Sequence, residues 1–197
     1  MIEDVNFVAM HRYQEIEKSM YNFVIQHKPN NIVELGHGSG AVTAAMALAL
    51  QQVNPTGKIH SYDIISSTKY YSCFGYEKYA TESAYDRILK RGLRDMIIFT
   101  EGDVFLTYVE SPIDFDLLYV DIDNTWDNLY KILIENKFIT NKVKNGSKII
   151  IEGGSPNHPR ININTLNEFN KKINKEVFKM KYITGSGRTS IAEITLW

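Results

Sequence analysis

The sequence has one cysteine, Cys73, in 197 residues, so no disulfide can close within the chain. That scarcity fits a reducing compartment, and Cys73 reads as a small packing residue. Long apolar runs are also missing. The longest, Ala41 to Leu50, is interrupted by Thr43 and falls short of the ~20 residues that span a bilayer. The opening Met1-Ile2-Glu3-Asp4 is acidic where a secretory signal carries lysine or arginine, so the expectation is a cytoplasmic protein with no membrane partner. Charge of one sign is absent too: 22 basic and 23 acidic residues leave a net charge of -1, which excludes a global basic field for nucleic acid. Repeats, linkers and low-complexity segments are not found. What remains is an ordinary globular composition, read as a single domain over residues 1–197 with a helical segment at 1–28.

Periodicity supplies the elements. From Phe7 to His27, Met10, Tyr13, Ile16, Met20, Phe23 and Val24 recur every three or four residues, one buried helix face stopped by Pro29. This stripe serves equally to cover a site or to pair with a second subunit, so a homodimer stays open. Asn31 to Leu35 reads as a strand and Ala41 to Val53 as a helix without a strongly polar face. Further strands are expected at Lys58 to Ile64, Met96 to Thr100, Phe115 to Val120 and Lys148 to Ile151, with helices at Tyr79 to Arg91, Trp126 to Phe138 and Leu166 to Lys175. Val177 to Thr184 and Thr189 to Trp197, joined by Gly185-Ser186-Gly187-Arg188, predict a hairpin. The fold class is therefore α/β: a mostly parallel sheet with right-handed crossovers, helices on both faces and a C-terminal antiparallel hairpin.

The richest segment, Glu34-Leu35-Gly36-His37-Gly38-Ser39-Gly40, lies between the first strand and the buried helix. Glycines there permit a sharp turn and close approach of a ligand at the crevice where open α/β sheets bind. Asp63 ends the next strand 23 residues past the last glycine, close to the ~20 expected of a carboxylate that binds ribose hydroxyls. Gly36, Gly38 and Ala41 also fit a dinucleotide fingerprint, which keeps an NAD-dependent oxidoreductase as a rival. Against it, Glu34 stands where a pyrophosphate would approach and no basic residue in the turn offsets the repulsion. A cationic ligand suits the turn better. His37 is expected to be a turn residue with its ring at the surface.

Acidic residue, one residue, then glycine-x-glycine-x-glycine resembles the first motif of the class I S-adenosylmethionine-dependent methyltransferases, and Glu34 through Gly40 matches it without a gap. The resemblance covers almost the whole chain and implies the Rossmann-like methyltransferase fold, a seven-stranded sheet closing with an antiparallel hairpin. It implies that the turn Gly36, His37, Gly38, Ser39 and Gly40 faces the methionine part of the cofactor S-adenosylmethionine, with Glu34 near its ammonium. Asp63, followed by Ile64, would hold the ribose. Asp103 and the backbone of Val104 would meet the adenine, and Asp121 would stabilise the cationic cofactor.

The acceptor side is less defined. Asp121-Ile122-Asp123-Asn124-Thr125-Trp126 resembles the signature of a small-molecule O-methyltransferase branch, with Asn124 in place of its histidine and Trp126 in place of its tyrosine. The asparagine-proline-proline-aromatic motif common in nucleic-acid amino methyltransferases is not matched, so a small-molecule acceptor is expected and no nucleic acid. A divalent metal would need Glu152 or Asn157 as a ligand beside Asp121, and no metal site is assigned. His158, in the loop Gly153 to Arg160, is the preferred general base and Asp123 the competing one. Arg160 suits an anionic acceptor, and Tyr70, Tyr71 and Trp126 suit the acceptor pocket. Methyl transfer to oxygen or nitrogen is the leading reading. Aminopropyl transfer from a decarboxylated cofactor and a noncatalytic nucleoside-binding module are its alternatives.

Overall fold

The computed structural model describes residues 14–69, 82–110, 113–135 and 143–196. In chain order its elements are α1 (Gln14–His27), β1 (Asn31–Leu35), α2 (Ala41–Val53), β2 (Lys58–Asp63), α3 (Ala84–Lys90), β3 (Ile97–Glu101) and α4 (Val104–Thr107). They are followed by β4 (Phe115–Val120), α5 (Trp126–Tyr130), β5 (Val143–Glu152), α6 (Ile163–Ile173), β6 (Phe178–Thr184) and β7 (Ile191–Leu196). All strands join one seven-stranded sheet in the order β3-β2-β1-β4-β5-β7-β6. The first five run parallel, β7 is antiparallel to β5, and β6 is antiparallel to β7. This is the Rossmann-like mixed sheet with its expected hairpin.

Side chains alternate across the sheet with a period of two, and the core divides accordingly. Ile32, Ile59, Leu117, Tyr119 and Ile150 pack with Ile16, Met20, Met46, Leu50 and Ile88 of α1, α2 and α3. Their neighbours Val33, Leu118, Val120, Ile149 and Ile151 pack with Trp126, Leu129, Leu166 and Phe169 of α5 and α6 on the other face. The strands β1 and β4 are buried on both sides, which is why they read as continuous apolar runs. Helix α2 packs against α1, α3 and the sheet, so Thr43, Ala44, Ala45, Met46, Ala47, Ala49 and Leu50 are all buried. Its lack of a polar face is thereby explained. No helix among the described residues is long and apolar enough to cross a membrane.

Several elements differ from expectation. A single helix from Trp126 to Phe138 is instead α5 followed by a π-helical turn at Lys131–Glu135. Strand β5 starts at Val143 rather than Lys148, because Gly146 at φ 92 allows a register shift opposite Phe115 and Leu117, so the Asn145-Gly146 pair lies inside the strand. The short α4 was not expected: apolar spacing cannot announce a helix of four residues, and only Asp103, whose carboxylate accepts the Phe105 N–H at 2.9 Å, marks its start. The N-terminal part of the Phe7 to His27 helix, as well as Tyr70, Tyr71 and Cys73, lies outside the described residues.

Candidate cofactor and acceptor site

Strand register builds the site. Glu34 of β1 aligns with Ser61 of β2 and Tyr119 of β4, and Tyr119 aligns with Ile150 of β5. One pleat further, on the same face and at the carboxyl ends, stand Asp63, Gly36, Asp121 and Glu152. Amide bonds from Gly36 to the Tyr62 carbonyl and from Asp121 to the Leu35 carbonyl, at 2.7 and 2.8 Å, continue the ladder to that level. Gly36 thus leaves a notch in a row of carboxylates. It has to be glycine, since its φ is 90 and any Cβ would collide with the Asp121 carbonyl oxygen.

Glu34 lies under the notch, fully buried. Its Oε2 accepts from the Thr43 hydroxyl at 2.7 Å and the Ser61 hydroxyl at 2.6 Å. Its Oε1 is buried with no hydrogen-bond partner among the described residues. Burial pushes the carboxyl up to about 7; the Asp63 charge adds to this and the two hydroxyls oppose it. Asp121 is raised well above the usual carboxylate range, by burial first and then by the charges of Glu152 and Glu34, with the Tyr119 hydroxyl donating to it at 3.4 Å. Such a site is short of positive charge.

Asp63 is placed differently. Its Oδ2 accepts the His37 and Gly38 amides at 2.9 Å each, and its Oδ1 accepts the Ile65 amide at 2.8 Å. It therefore fixes the glycine turn to the end of β2, and its Oδ1 keeps a lone pair for a ligand hydroxyl. The neighbouring Ile64 is 71% exposed. The Gly102 amide bonds the Asp63 carbonyl at 2.8 Å, which brings the exposed Asp103 and the buried Val104 alongside. Gly40, at φ 73, precedes α2 without any side-chain cap, and Ser39 stands beside it. The first amides of α2 are then free of side-chain partners, the arrangement that receives a carboxylate.

His37 corrects its expectation. The ring is buried rather than at the surface: Nδ1 donates to the Gly38 carbonyl at 3.0 Å and the ring meets Phe99 edge-on at 5.2 Å. Burial lowers its pKa, against the pull of Asp63 and the Gly38 carbonyl, so the ring is held toward its neutral form. A period-two reading of β3 could have found this, since Phe99 shares a face with the turn.

The base candidates are corrected as well. His158 is buried, and its Nδ1 accepts the Ile161 and Arg160 amides at 2.9 and 3.2 Å. The ring hydrogen therefore sits on Nε2, which faces Glu152 Oε1 at 3.7 Å. With one nitrogen holding the loop and the other already protonated, His158 is a clamp and not a free base. Asp123 is 73% exposed and ion-paired with Arg160, which ties the loop after β4 to the loop after β5. Asn124 is fully buried: its Nδ2 donates to the Val120 and Glu152 carbonyls at 3.1 and 3.0 Å, holding the ends of β4 and β5 together. Trp126 is a core residue, its Nε1 donating to Thr165 at 2.9 Å, and it lines a groove of about 300 Å³ between α5 and α6. Glu152, named in the sequence only as an unorthodox metal ligand, emerges as the inward group on the acceptor side. No metal-holding group of three acidic, histidine or cysteine side chains occurs among the described residues.

Solved structures share this architecture. The SAH-bound methyltransferase PaMTH1 of Podospora anserina superposes with a TM-score of 0.62 at 15% identity, over 92% of this chain and 77% of that one. The O-methyltransferase TomG of Streptomyces achromogenes, in complex with SAM, gives 0.59 at 15% identity over 91% and 78%. An O-methyltransferase of Bacillus cereus in complex with SAH gives 0.60 at 16% identity over 92% and 80%. The fold is the methyltransferase fold. No protein-family model matches the sequence, and no curated protein does.

Proposed function

We propose that this protein is an S-adenosylmethionine-dependent methyltransferase acting on an oxygen or nitrogen of a small molecule. The observation that carries the reading is Glu34, a fully buried carboxylate with a bare oxygen beneath the notch at Gly36. A cation beside it offsets the desolvation that raises its pKa. The cofactor, when bound, supplies an electrophilic methyl on a sulfonium. Glu34 and Asp121 would hold its positive charges, and the uncapped start of α2 would receive its carboxylate. Asp63 would accept from a ribose hydroxyl, Ile64 would cover an adenine face, and Asp103 would accept from the adenine amino group. The turn of Gly36 to Gly40 keeps side chains out of the crevice. Catalysis by this chain is then chiefly the holding of the acceptor in line with the methyl. A pyrophosphate at the same turn would face Glu34 and Asp121, which disfavours NAD.

Calorimetric titration tests the reading. S-adenosylmethionine and S-adenosylhomocysteine should bind and NAD should not, and Asp63→Ala should weaken binding at least tenfold because it frees the turn as well as removing the ribose acceptor. Binding of NAD alone, or of no nucleoside, would overturn it. Product mass separates methyl from aminopropyl transfer, and tight cofactor binding without turnover would favour a noncatalytic module.

A further inference from the structure

The two rows at the carboxyl ends carry Asp63, Asp121, Glu152 and Glu34, and the other members are Gly36, Ser61, Tyr119 and Ile150. No lysine or arginine is among them. Asp63 is compensated by three backbone amides. Among the described residues, the side-chain partners of the other three carboxylates are hydroxyls and the His158 imidazole. Glu34 meets two hydroxyls, Asp121 the Tyr119 hydroxyl at 3.4 Å, and Glu152 the His158 Nε2 at 3.7 Å. Two buried polar atoms of this group, Glu34 Oε1 and His158 Nε2, lack hydrogen-bond partners among the described residues. Both belong to side chains that are almost wholly buried.

S-adenosylmethionine carries two positive charges and one negative, so it offsets about one carboxylate of this set. A second cation beside the remaining carboxylates would stabilise their ionised form. Position assigns where it goes: Glu34 lies under the turn, whereas Glu152 ends β5, on the far side of Asp121 from the turn and at the base of the Gly153 to Arg160 loop. An anionic oxygen placed there would meet Asp121 and Glu152, and Arg160 is already paired with Asp123.

We infer that the acceptor is an amine, bound as an ammonium by Glu152 and Asp121, with Glu152 taking the proton that frees its lone pair. This rests on the methyltransferase reading above. The proton passes from the ammonium nitrogen to a Glu152 oxygen. The nitrogen lone pair then forms the new bond to the methyl carbon as the carbon–sulfur bond breaks, and that bond's electron pair stays on sulfur, which becomes a neutral thioether. The product leaves as the N-methylammonium, and Glu152 returns its proton to water. His158 is a positioning residue here: its Nδ1 holds the loop and its Nε2–H faces the Glu152 carboxylate.

The test uses the whole protein saturated with S-adenosylhomocysteine. It is titrated calorimetrically with benzylamine, tyramine, agmatine and piperidine, with the matched probes benzyl alcohol and benzoate, and separately with magnesium chloride. Turnover of the same compounds with S-adenosylmethionine is followed by product mass. The expected result is binding and methylation within the amine set alone. Glu152→Gln should lose amine affinity at least tenfold while retaining S-adenosylhomocysteine, and Glu152→Asp, which keeps the charge, should bind amine more tightly than Glu152→Gln. Binding or methylation of the alcohol or carboxylate in place of amines, no binding by any organic probe, or magnesium binding that amines do not displace would each overturn the inference. Failure of S-adenosylhomocysteine to bind at the outset sinks the methyltransferase reading instead.

Discussion

Replacing Glu34 by glutamine should change how stability depends on pH. In the folded protein the Glu34 carboxyl is raised to about 7 from an ordinary 4.5. A group whose folded pKa is raised favours the folded state while protonated. That contribution is complete below about pH 4.5 and lost as pH rises to about 7, after which it stays lost. Across that window the loss is about 3 kcal/mol, on the order of 1.4 kcal/mol for each pH unit between the unfolded and folded values. Between about pH 5 and pH 8 it comes to about 2.5 kcal/mol. For a chain of this size that is a relative Tm change of about 5–10 °C.

Glu34→Gln also rearranges the bonds from Thr43 and Ser61, but that contribution is the same at both pH values and cancels in the comparison. Glu17, on α1, is likewise buried and raised to about 7, by burial against the opposing Arg87 and Arg91 charges, and it titrates in both proteins. The assay is thermal unfolding by circular dichroism of both proteins at the two pH values. Wild type should lose several degrees more than the variant on going to the higher pH, and S-adenosylmethionine should protect wild type more strongly there. Parallel Tm profiles for the two proteins would refute the account of Glu34 as a carboxylate held under strain for a cation.

Gly36→Ala should destabilise by about 3 kcal/mol, from positive-φ strain plus a steric collision with the Asp121 carbonyl. Gly187→Ala, at φ 51 with open space around it, should lose only about 1 kcal/mol, and urea unfolding of the pair checks the difference. Asn162 caps α6 through the Asn164 and Thr165 amides at 2.9 and 3.1 Å and donates to the His158 carbonyl at 2.6 Å. Asn162→Ala should therefore lower stability by about 1–2 kcal/mol and weaken the probe that binds beside Glu152, measured by unfolding and by calorimetry.

Local chemistry was legible where it is periodic or obligatory. The limits of α2 and β4 follow from Ala41 to Val53 and Phe115 to Val120 because an element buried on several sides has an apolar sequence whatever its partners are. Gly36 and Gly40 were recognisable because positive φ restricts the choice of residue. The burial of the His37 ring and the engagement of both His158 nitrogens escaped the sequence for one reason. Both depend on which groups the fold brings around the ring, the Asp63 carboxylate and the Phe99 ring for one, the Arg160 and Ile161 amides and the Glu152 carboxylate for the other.

The sequence by itself determined the alternation of strands and helices, the terminal hairpin, the acidic-glycine turn and Asp63 at the end of the next strand. These are fixed by short-range rules of period, turn geometry and spacing. Only the tertiary structure decided that Glu34, Asp121 and Glu152 belong to one face, that Asp63 is compensated while they are not, and that Asp123 is outside. Strand order and register put residues that are far apart in sequence on one face of neighbouring strands, and the strength of a charge depends on that neighbourhood and on the water excluded from it.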